Sequence, residues 1–449
     1  MHAPAQQNPL VTGPIAPTML RLALPNMGAM VATSLVAIAE TSYVGALGVS
    51  ALAGLALVFP FVMLQQMMSG GAMGGGVSSS IARALGAHDE ARARSLAAHA
   101  AVIGLSAGLV LAVLLFVFAH DLFYLLGGRD AALAEGLAYA RVYAVAIVAV
   151  WLTNTLASIV RGAGNMRIPS TTIFIAAVGQ IVVGGSLGLG LGPFPRLGMA
   201  GVAAGQIAAY GGSALFLAWY LMSGRARVRL ALAGFKADGD LFRDILRVGG
   251  LACISPIQSV ATVLVLTRLV AHFGVPALAG YGIGARLEFL LIPIAFAIGV
   301  ACVPMVGMAI GAGDVARARR VAWTGGLMSA ALLGAVGLFF AIFPQLWSRL
   351  FTHDVAVLES ARLYLVWSGL AYSLFGLGLC LYFASQGAGK VLGPVLAGTV
   401  RLAVVIAGGL WLASWDAPQW MMFVVVALSM AAYGLSTALA IKVTPWGAR

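Results

Sequence analysis

Long apolar stretches, separated by short runs of Gly, Pro and charged residues, dominate the pattern along the chain. A helix that crosses a membrane needs about 20 apolar residues. Twelve stretches reach that length, at residues 20–44, 51–80, 96–119, 138–160, 169–192, 198–222, 247–271, 278–310, 321–343, 362–385, 394–414 and 419–442. The pattern therefore predicts twelve transmembrane helices joined by short loops.

The composition excludes a soluble protein. Of the 449 residues, 61% are hydrophobic and 9% are charged, against roughly 45–50% and about 25% in soluble domains. Gly is abundant at 57 residues, but no Gly-X-Y repeat or Ser-rich tract is present, which argues against fibrous and disordered classes. We expect an all-α membrane protein whose surroundings are the lipid bilayer.

The charge of the chain is distributed unevenly between the loops. The net charge is +12, and 19 of the 26 Lys and Arg residues fall on alternate connections. This count assigns both Lys390 and Arg401 to one of these connections. Basic residues concentrate on the cytoplasmic side of membrane proteins. We therefore expect both termini to be cytoplasmic in a cell inner membrane, and we do not expect nucleic acid as a partner.

An internal repeat organises the sequence. Residues 48–54 resemble 274–280, residues 84–94 resemble 309–319, and Gly162-Ala-Gly164 with Pro169 resembles Gly387-Ala-Gly389 with Pro394, all at offsets of 225 or 226. A constant offset indicates that six helices were duplicated, and six is even, so both copies cross the membrane in the same direction. Such parallel repeats are found in transporters that work by alternating access.

The repeat predicts four segments. They are an N-terminal cytoplasmic tail at 1–19, an N-lobe at 20–222, a cytoplasmic linker at 223–246 and a C-lobe at 247–449, with six helices in each lobe.

Motifs of metalloenzymes and nucleotide-binding enzymes are missing. The sequence has no H-E-x-x-H and no C-x-x-C motif, and Gly387-Ala-Gly-Lys390 lacks the first Gly and the Ser/Thr of a phosphate-binding loop. We expect no enzyme, no metal and no cofactor.

Ionisable residues inside apolar stretches are the first candidates for function, because each costs about 2.5 to 3.5 kcal/mol at a helix centre. Glu40 lies in the outer part of the first helix, either as an interfacial side chain that reaches water or as a carboxyl group in a cavity that binds and releases a proton. Arg286 and Glu288 lie two residues apart on different faces of the eighth helix. They serve either in ion pairs with other helices or in substrate contact.

Polar uncharged residues form a second group of candidates: Gln65, Tyr139, Thr153, Asn154, Gln180 and Gln258. In a membrane protein such residues most often make helix-to-helix hydrogen bonds, and the alternative is that they line a cavity. Pro25 removes a backbone hydrogen bond inside the first helix and permits a kink.

The ordered set of motifs resembles the multidrug and toxic compound extrusion (MATE) transporters over essentially the whole chain, and more the DinF type than the NorM type. The matching elements are Glu40-x-x-Tyr43-Val-Gly45, Ala51-Leu-Ala-Gly54, the loops at 84–94 and 309–319, Arg161-Gly-x-Gly164, Pro195-x-Leu-Gly-x-Ala-Gly201 and Arg286-Leu-Glu288. The resemblance implies two six-helix lobes around a cavity, and export of small organic, often cationic, compounds driven by proton or sodium entry.

The family pattern assigns roles to particular residues. Pro25 matches the first-helix proline, Glu40 matches an acid that is usually Asp, and Tyr139 and Asn154 match polar partners of that acid. The sequence departs from the pattern on the fifth helix, where Gln180 and Gly184 occupy an Asn-x-x-x-Asp motif, and at Ala157, which replaces a second Asn. A single carboxylate is a poor sodium site, and this favours a proton as the coupling ion.

We therefore expect a monomeric proton-coupled exporter in which Glu40 carries the proton, Tyr139 and Asn154 tune it, and the other polar residues line the cavity. A flippase of amphipathic or lipid-linked metabolites, a sodium-coupled antiporter and a passive channel are the alternatives.

Overall fold

The computed structural model describes residues 9–231, 234–415 and 417–447, and all regular structure in that part of the chain is helical. The α-helices are α1 (Pro9–Thr12), α2 (Ile15–Leu47), α3 (Val49–Gln66), α4 (Gly74–Gly86), α5 (Glu90–Leu125), α6 (Asp130–Gly162), α7 (Arg167–Leu189), α8 (Gly198–Met222), α9 (Gly239–Ala252), α10 (Ile254–Ala271), α11 (Val275–Gly311), α12 (Val315–Ile342), α13 (Gln345–Ser348), α14 (Val355–Gly387), α15 (Leu392–Ala413) and α16 (Gln419–Val443).

Twelve helical segments of the described chain are long and apolar enough to cross a membrane, which confirms the predicted number. The second segment consists of α3 and α4 joined by a π-helical turn at Met67–Met73, and the seventh consists of α9 and α10. Most helices are longer than the apolar stretches, because their polar ends continue the helix beyond the membrane-spanning part.

The repeated loop motifs have a local structural cause. Asp89 and Asp314 occupy equivalent positions, and each side chain accepts a hydrogen bond of 2.8 Å from the backbone N–H three residues later, at the start of α5 and α12. This is the usual N-cap interaction. The preceding residue has a positive φ in both copies, +59° at His88 and +78° at Gly313, so the motif terminates one helix and starts the next.

Two compact units make up the chain, one formed by Leu24–Gly250 and the other by the segment that ends at Ala23 together with the segment from Leu251 onward. The chain passes between the units inside α2, directly before Pro25, and at the end of α9. The predicted segment boundaries at residues 19, 222 and 246 stay a prediction.

In the unit Leu24–Gly250, α6 packs against α3, α4, α5 and α8, and α7 packs against α8. The contact between α7 and α8 is backbone to backbone: a Cβ atom placed on Gly205 would lie 2.5 Å from Gly184 Cα. Glycine permits this approach, as in other membrane helix pairs. It brings the two helices that carry Gln180 and Gln206 close together.

The chain between α8 and α9, together with the start of α9, contacts α4 and α5. His99 is 2% exposed, accepts a hydrogen bond of 2.9 Å from the backbone N–H of Asp238 through Nε2, and lies between the rings of Phe235 and Phe242. The Asp244 carboxylate pairs with Arg83 at 2.6 Å. These contacts therefore hold the end of the α8–α9 connection and the start of α9 against α4 and α5.

In the other unit, α14 packs against α11, α12 and α16, and α15 packs against α10 and α16. Tyr364, Tyr372 and Phe423 are fully buried in its core. Arg401 lies within α15, nine residues after Leu392. The assignment of Arg401 to a loop is therefore wrong, because the helix starts early enough to carry this arginine into the membrane-spanning part.

Candidate functional site

The Glu40 side chain is held inside the unit Leu24–Gly250 and does not extend into solvent. It is 8% exposed, and Gln180 Nε2 donates a hydrogen bond of 2.7 Å to Glu40 Oε1. The Gln206 side chain also lies close to Glu40. Since Gln180 is on α7 and Gln206 is on α8, the glycine-mediated contact of these helices places both amides at the carboxyl group.

Aromatic hydroxyl groups complete the surroundings of Glu40. Gln206 Nε2 donates a hydrogen bond of 2.7 Å to the Tyr139 hydroxyl oxygen. The buried hydroxyl groups of Tyr43 and Tyr143 have no hydrogen-bond partner within the described part of the chain. We call Glu40, Tyr139, Gln180 and Gln206 the Glu40 site.

The Glu40 site contains neutral donors and acceptors around one carboxyl group. No Lys, Arg or His forms an ion pair with Glu40 among the residues that the structure describes. An amide N–H can donate to a carboxyl oxygen whether or not the carboxyl group carries its proton. The arrangement can therefore accommodate both forms of Glu40 without losing the bond from Gln180.

Asn154 belongs to a different hydrogen-bond cluster. Its Nδ2 donates to Ser69 Oγ at 2.8 Å and to Gln66 Oε1 at 3.2 Å, and Gln66 Nε2 donates to the Tyr210 hydroxyl at 2.6 Å. The Thr153 hydroxyl donates to the Tyr210 carbonyl oxygen at 2.7 Å. We name this set the Asn154 cluster, and no hydrogen bond joins it to Glu40 in the described residues.

Gln65 lies next to the Asn154 cluster, where its Oε1 accepts a hydrogen bond of 2.6 Å from Trp151 Nε1. Ser69 lies in the π-helical turn, and its hydroxyl donates to the Gln65 carbonyl oxygen at 2.7 Å. π-Helical turns are rare and often occur at functional positions. The run of glycines in this region does not by itself specify such a turn, because glycine permits many backbone conformations.

In the other unit, Arg286 and Glu288 contact different partners, as their spacing of two predicts. The Arg286 guanidinium lies 5.0 Å from the ring centroid of Phe351. The Glu288 carboxylate accepts a hydrogen bond from the Tyr364 hydroxyl and a longer one, 3.5 Å, from the Tyr372 hydroxyl. Neither residue forms an ion pair within 4 Å among the described side chains.

Gln258 and Pro25 have structural environments of their own. Gln258 Nε2 donates to Thr399 Oγ1 at 2.8 Å and so links α10 to α15. Pro25 lies inside α2 and precedes Asn26, which is 1% exposed and whose two polar side-chain atoms have no partner in the described residues. Buried polar groups without hydrogen-bond partners are rare. The Asn26 amide next to a helix-interior proline therefore identifies this turn of α2 as a candidate functional position.

Several polar residues of the structure are not among the candidates from the sequence, and Gln206, Asn26 and Arg401 are the most informative of them. Gln206 is an uncharged residue in a helix rich in Gly and Ala, and nothing in its spacing distinguishes it from a structural amide. The one feature of the sequence that distinguishes Asn26 is its position directly after Pro25. Arg401 was assigned to a loop, although its position seven residues after Pro394 places it within an apolar stretch.

Replacing Gln180 by Leu tests the bond to Glu40. A buried carboxyl group that loses its donor costs roughly 1–3 kcal/mol, whereas a typical helix-to-helix bond in a membrane is worth about 0.6 kcal/mol. We expect Gln180→Leu to lower the melting temperature in detergent clearly more than Gln258→Leu, which removes the exposed bond to Thr399. Equal shifts for the two variants would contradict this assignment.

The family model MatE matches residues 25–184 and 252–411, one match in each half of the chain. A protein of Shewanella oneidensis named "FAD transporter" is 26% identical over 381 residues, covering 84% of this chain and 82% of that protein. A protein of Deinococcus radiodurans named "Probable multidrug resistance protein NorM" is 32% identical over 336 residues, covering 72% of this chain and 70% of that protein.

Among solved structures, an outward-facing multidrug resistance MATE family transporter has a TM-score of 0.88 at 21% identity, and the superposition covers 98% of each chain. This likeness shows the fold. The family match covers both halves, and twelve helical segments of the described chain are long and apolar enough to cross a membrane. The chain therefore belongs to the MATE family and is an efflux transporter of small organic compounds.

Proposed function

We propose that this transporter exports its substrates in exchange for protons and that Glu40 is the residue that binds the coupling proton. The burial of Glu40 beneath two neutral amides carries the proposal. An intramembrane carboxyl group is costly, and when it faces the interior of a helix bundle it typically belongs to an ion pathway.

Proton binding converts a negative charge into a neutral group at a fixed position. The ionised carboxylate attracts the N–H groups of Gln180 and Gln206 more strongly than the protonated form does, because charged acceptors make the stronger hydrogen bonds. Loss of the charge therefore loosens α2 from α7 and α8. A change in the energy of one such contact shifts the balance between inward-open and outward-open states.

Pro25 gives α2 a place at which such a shift can occur. It lies just beyond the point where α2 passes from one compact unit to the other. A proline inside a helix removes one backbone hydrogen bond and weakens the helix at that turn. We propose that α2 bends there when Glu40 gains or loses its proton.

The ligand set favours a proton over sodium. Sodium requires several oxygen ligands, whereas Glu40 is the one carboxyl group of the Glu40 site and two of its neighbours, Gln180 and Gln206, turn amide N–H groups toward carboxyl or phenol oxygen. A proton requires a single carboxyl oxygen. Sodium coupling is the second candidate for the ion.

We also propose that the protein works as a monomer in the inner membrane. We place both termini in the cytoplasm, because basic residues still concentrate on the same alternate connections when Arg401 is left out of the count.

We propose no enzymatic activity. Two G-x-S-x-G sequences, at 104–108 and 184–188, lie inside α5 and α7, whereas a nucleophile of that type requires a strand-to-helix turn.

The experiment is efflux of a fluorescent organic cation from proteoliposomes under an imposed proton gradient, and separately under a sodium gradient at constant pH. We expect the proton gradient alone to drive transport. Transport that follows the sodium gradient, or that runs without either gradient to the same final distribution, would contradict proton coupling.

A further inference from the structure

Arg401 is a cation in the middle of a membrane-spanning helix. It lies nine residues after Leu392, roughly 13 Å along α15 at about 1.5 Å per residue, and α15 is 22 residues long. An arginine at such depth costs about 2.5 to 3.5 kcal/mol on insertion scales, and such residues usually serve a substrate or ion. The Glu40 site does not use Arg401, and so its presence needs a separate explanation.

The guanidinium of Arg401 has unused hydrogen-bonding capacity. Its Nε is buried and has no hydrogen-bond partner in the described residues, and no carboxylate there lies within 4 Å of the guanidinium. A buried donor without an acceptor carries a free-energy penalty. An anionic ligand that approaches Arg401 would remove this penalty.

An aromatic pair lies on one side of the same group. The guanidinium carbon lies 4.8 Å from the ring centroid of Phe375, and the Phe375 and Tyr433 rings are 5.8 Å apart. Arg401 also interacts electrostatically with Tyr281, Tyr433 and Glu288. Glu288, however, directs its carboxylate to the hydroxyl group of Tyr364. Arg401 and Glu288 therefore interact without forming an ion pair, and the Phe375 ring lies beside the cation.

We propose that Arg401, Phe375 and Tyr433 form a substrate subsite for aromatic organic anions, in which Arg401 binds a carboxylate or phosphate group and the two rings contact the aromatic part. Guanidinium groups bind both anions with two parallel hydrogen bonds. The subsite rests on the proposed transport function and adds a substrate class to it. Glu288 competes with the ligand for the positive charge and limits the affinity for anions.

Binding can be measured without any gradient, by fluorescence anisotropy of fluorescein, an aromatic carboxylate, with the purified full-length protein in detergent. Rhodamine 123, a cation built on the same ring system, is the matched probe. We expect saturable fluorescein binding, weakened about 10-fold or more by Arg401→Gln and less by Arg401→Lys, whereas rhodamine 123 binding is not weakened by either change. Arg268→Gln removes an exposed cation of α10 and serves as the control, with no effect expected.

Two further results separate the subsite from general effects. Glu288→Gln removes the competing charge and is expected to tighten fluorescein binding several-fold, a change opposite in sign to that of Arg401→Gln. In the unmodified protein, 1-naphthoate is expected to displace fluorescein and 1-naphthylmethylamine is not, and this comparison remains valid if Arg401→Gln does not fold.

Fluorescein binding that is absent, insensitive to Arg401→Gln, or displaced equally by both naphthyl compounds would overturn the subsite. None of these results depends on the coupling ion. Proton coupling is tested separately by gradient-driven efflux, so that failure of proton coupling and failure of the subsite give different outcomes.

Discussion

Replacing Glu40 by Gln is expected to reduce proton-driven efflux to the level of liposomes without protein. The Gln side chain has the same shape and still offers an oxygen to the Gln180 amide, which donates to Glu40 at 2.7 Å. It cannot bind or release a proton in the physiological range. The variant should therefore fold and bind substrate, yet no longer link the proton gradient to the change of state.

The measurement combines efflux of the fluorescent cation with a pH-sensitive dye inside the proteoliposomes, so that substrate and proton movements are recorded together. Glu40→Asp keeps the acid but shortens its reach toward Gln180, and we expect partial activity with the proton requirement retained. Glu359→Gln is the matched control, because Glu359 is an exposed acid that pairs with Arg362 at 2.6 Å on α14. Proton-coupled efflux that persists in Glu40→Gln would exclude Glu40 as the coupling acid.

Replacing Gly205 by Val is expected to cause a large loss of stability. The added Cβ would lie 2.5 Å from Gly184 Cα and 3.1 Å from the Gln180 carbonyl oxygen. Both are backbone atoms and cannot move aside without displacing α7 from α8. Overpacking of this kind typically costs 1–3 kcal/mol, which corresponds to about 2–4 °C in melting temperature for each kcal/mol in a unit of this size.

The same displacement moves Gln180 relative to Glu40, so we expect transport to fall further than the loss of folded protein explains. Gly212→Val on the same helix is the control, since a Cβ atom at Gly212 meets no other atom within 4 Å. Melting curves of the purified variants, followed by efflux per folded molecule, give both quantities. Similar melting temperatures for the Gly205 and Gly212 variants would contradict the close packing of α7 on α8.

The amino-acid sequence by itself determined the number of membrane-spanning segments and the duplication. The length of an apolar stretch is a local property, and it decides whether a helix can cross the bilayer. The loop motifs are also local features. Asp89 and Asp314 are repeated because each caps a helix, and the residues directly before them, His88 and Gly313, share a positive φ.

The tertiary structure alone decided which side chains meet. The membrane-spanning helices are apolar around their whole circumference, and so the sequence gives the depth of a polar residue but not the direction that it faces. Asn154 was expected beside Glu40 and instead joins Ser69 and Gln66. Gln206 reaches Glu40 because glycines let α7 and α8 approach closely.

Arg401 illustrates the same limit in the other unit. Its position within an apolar stretch was visible in the sequence, but its neighbours Phe375 and Tyr433 belong to α14 and α16. Contacts between helices depend on small residues and on helix rotation, and these are set by the packing of the whole unit. The sequence therefore specified twelve helices and their polar residues, and packing assembled those residues into sites.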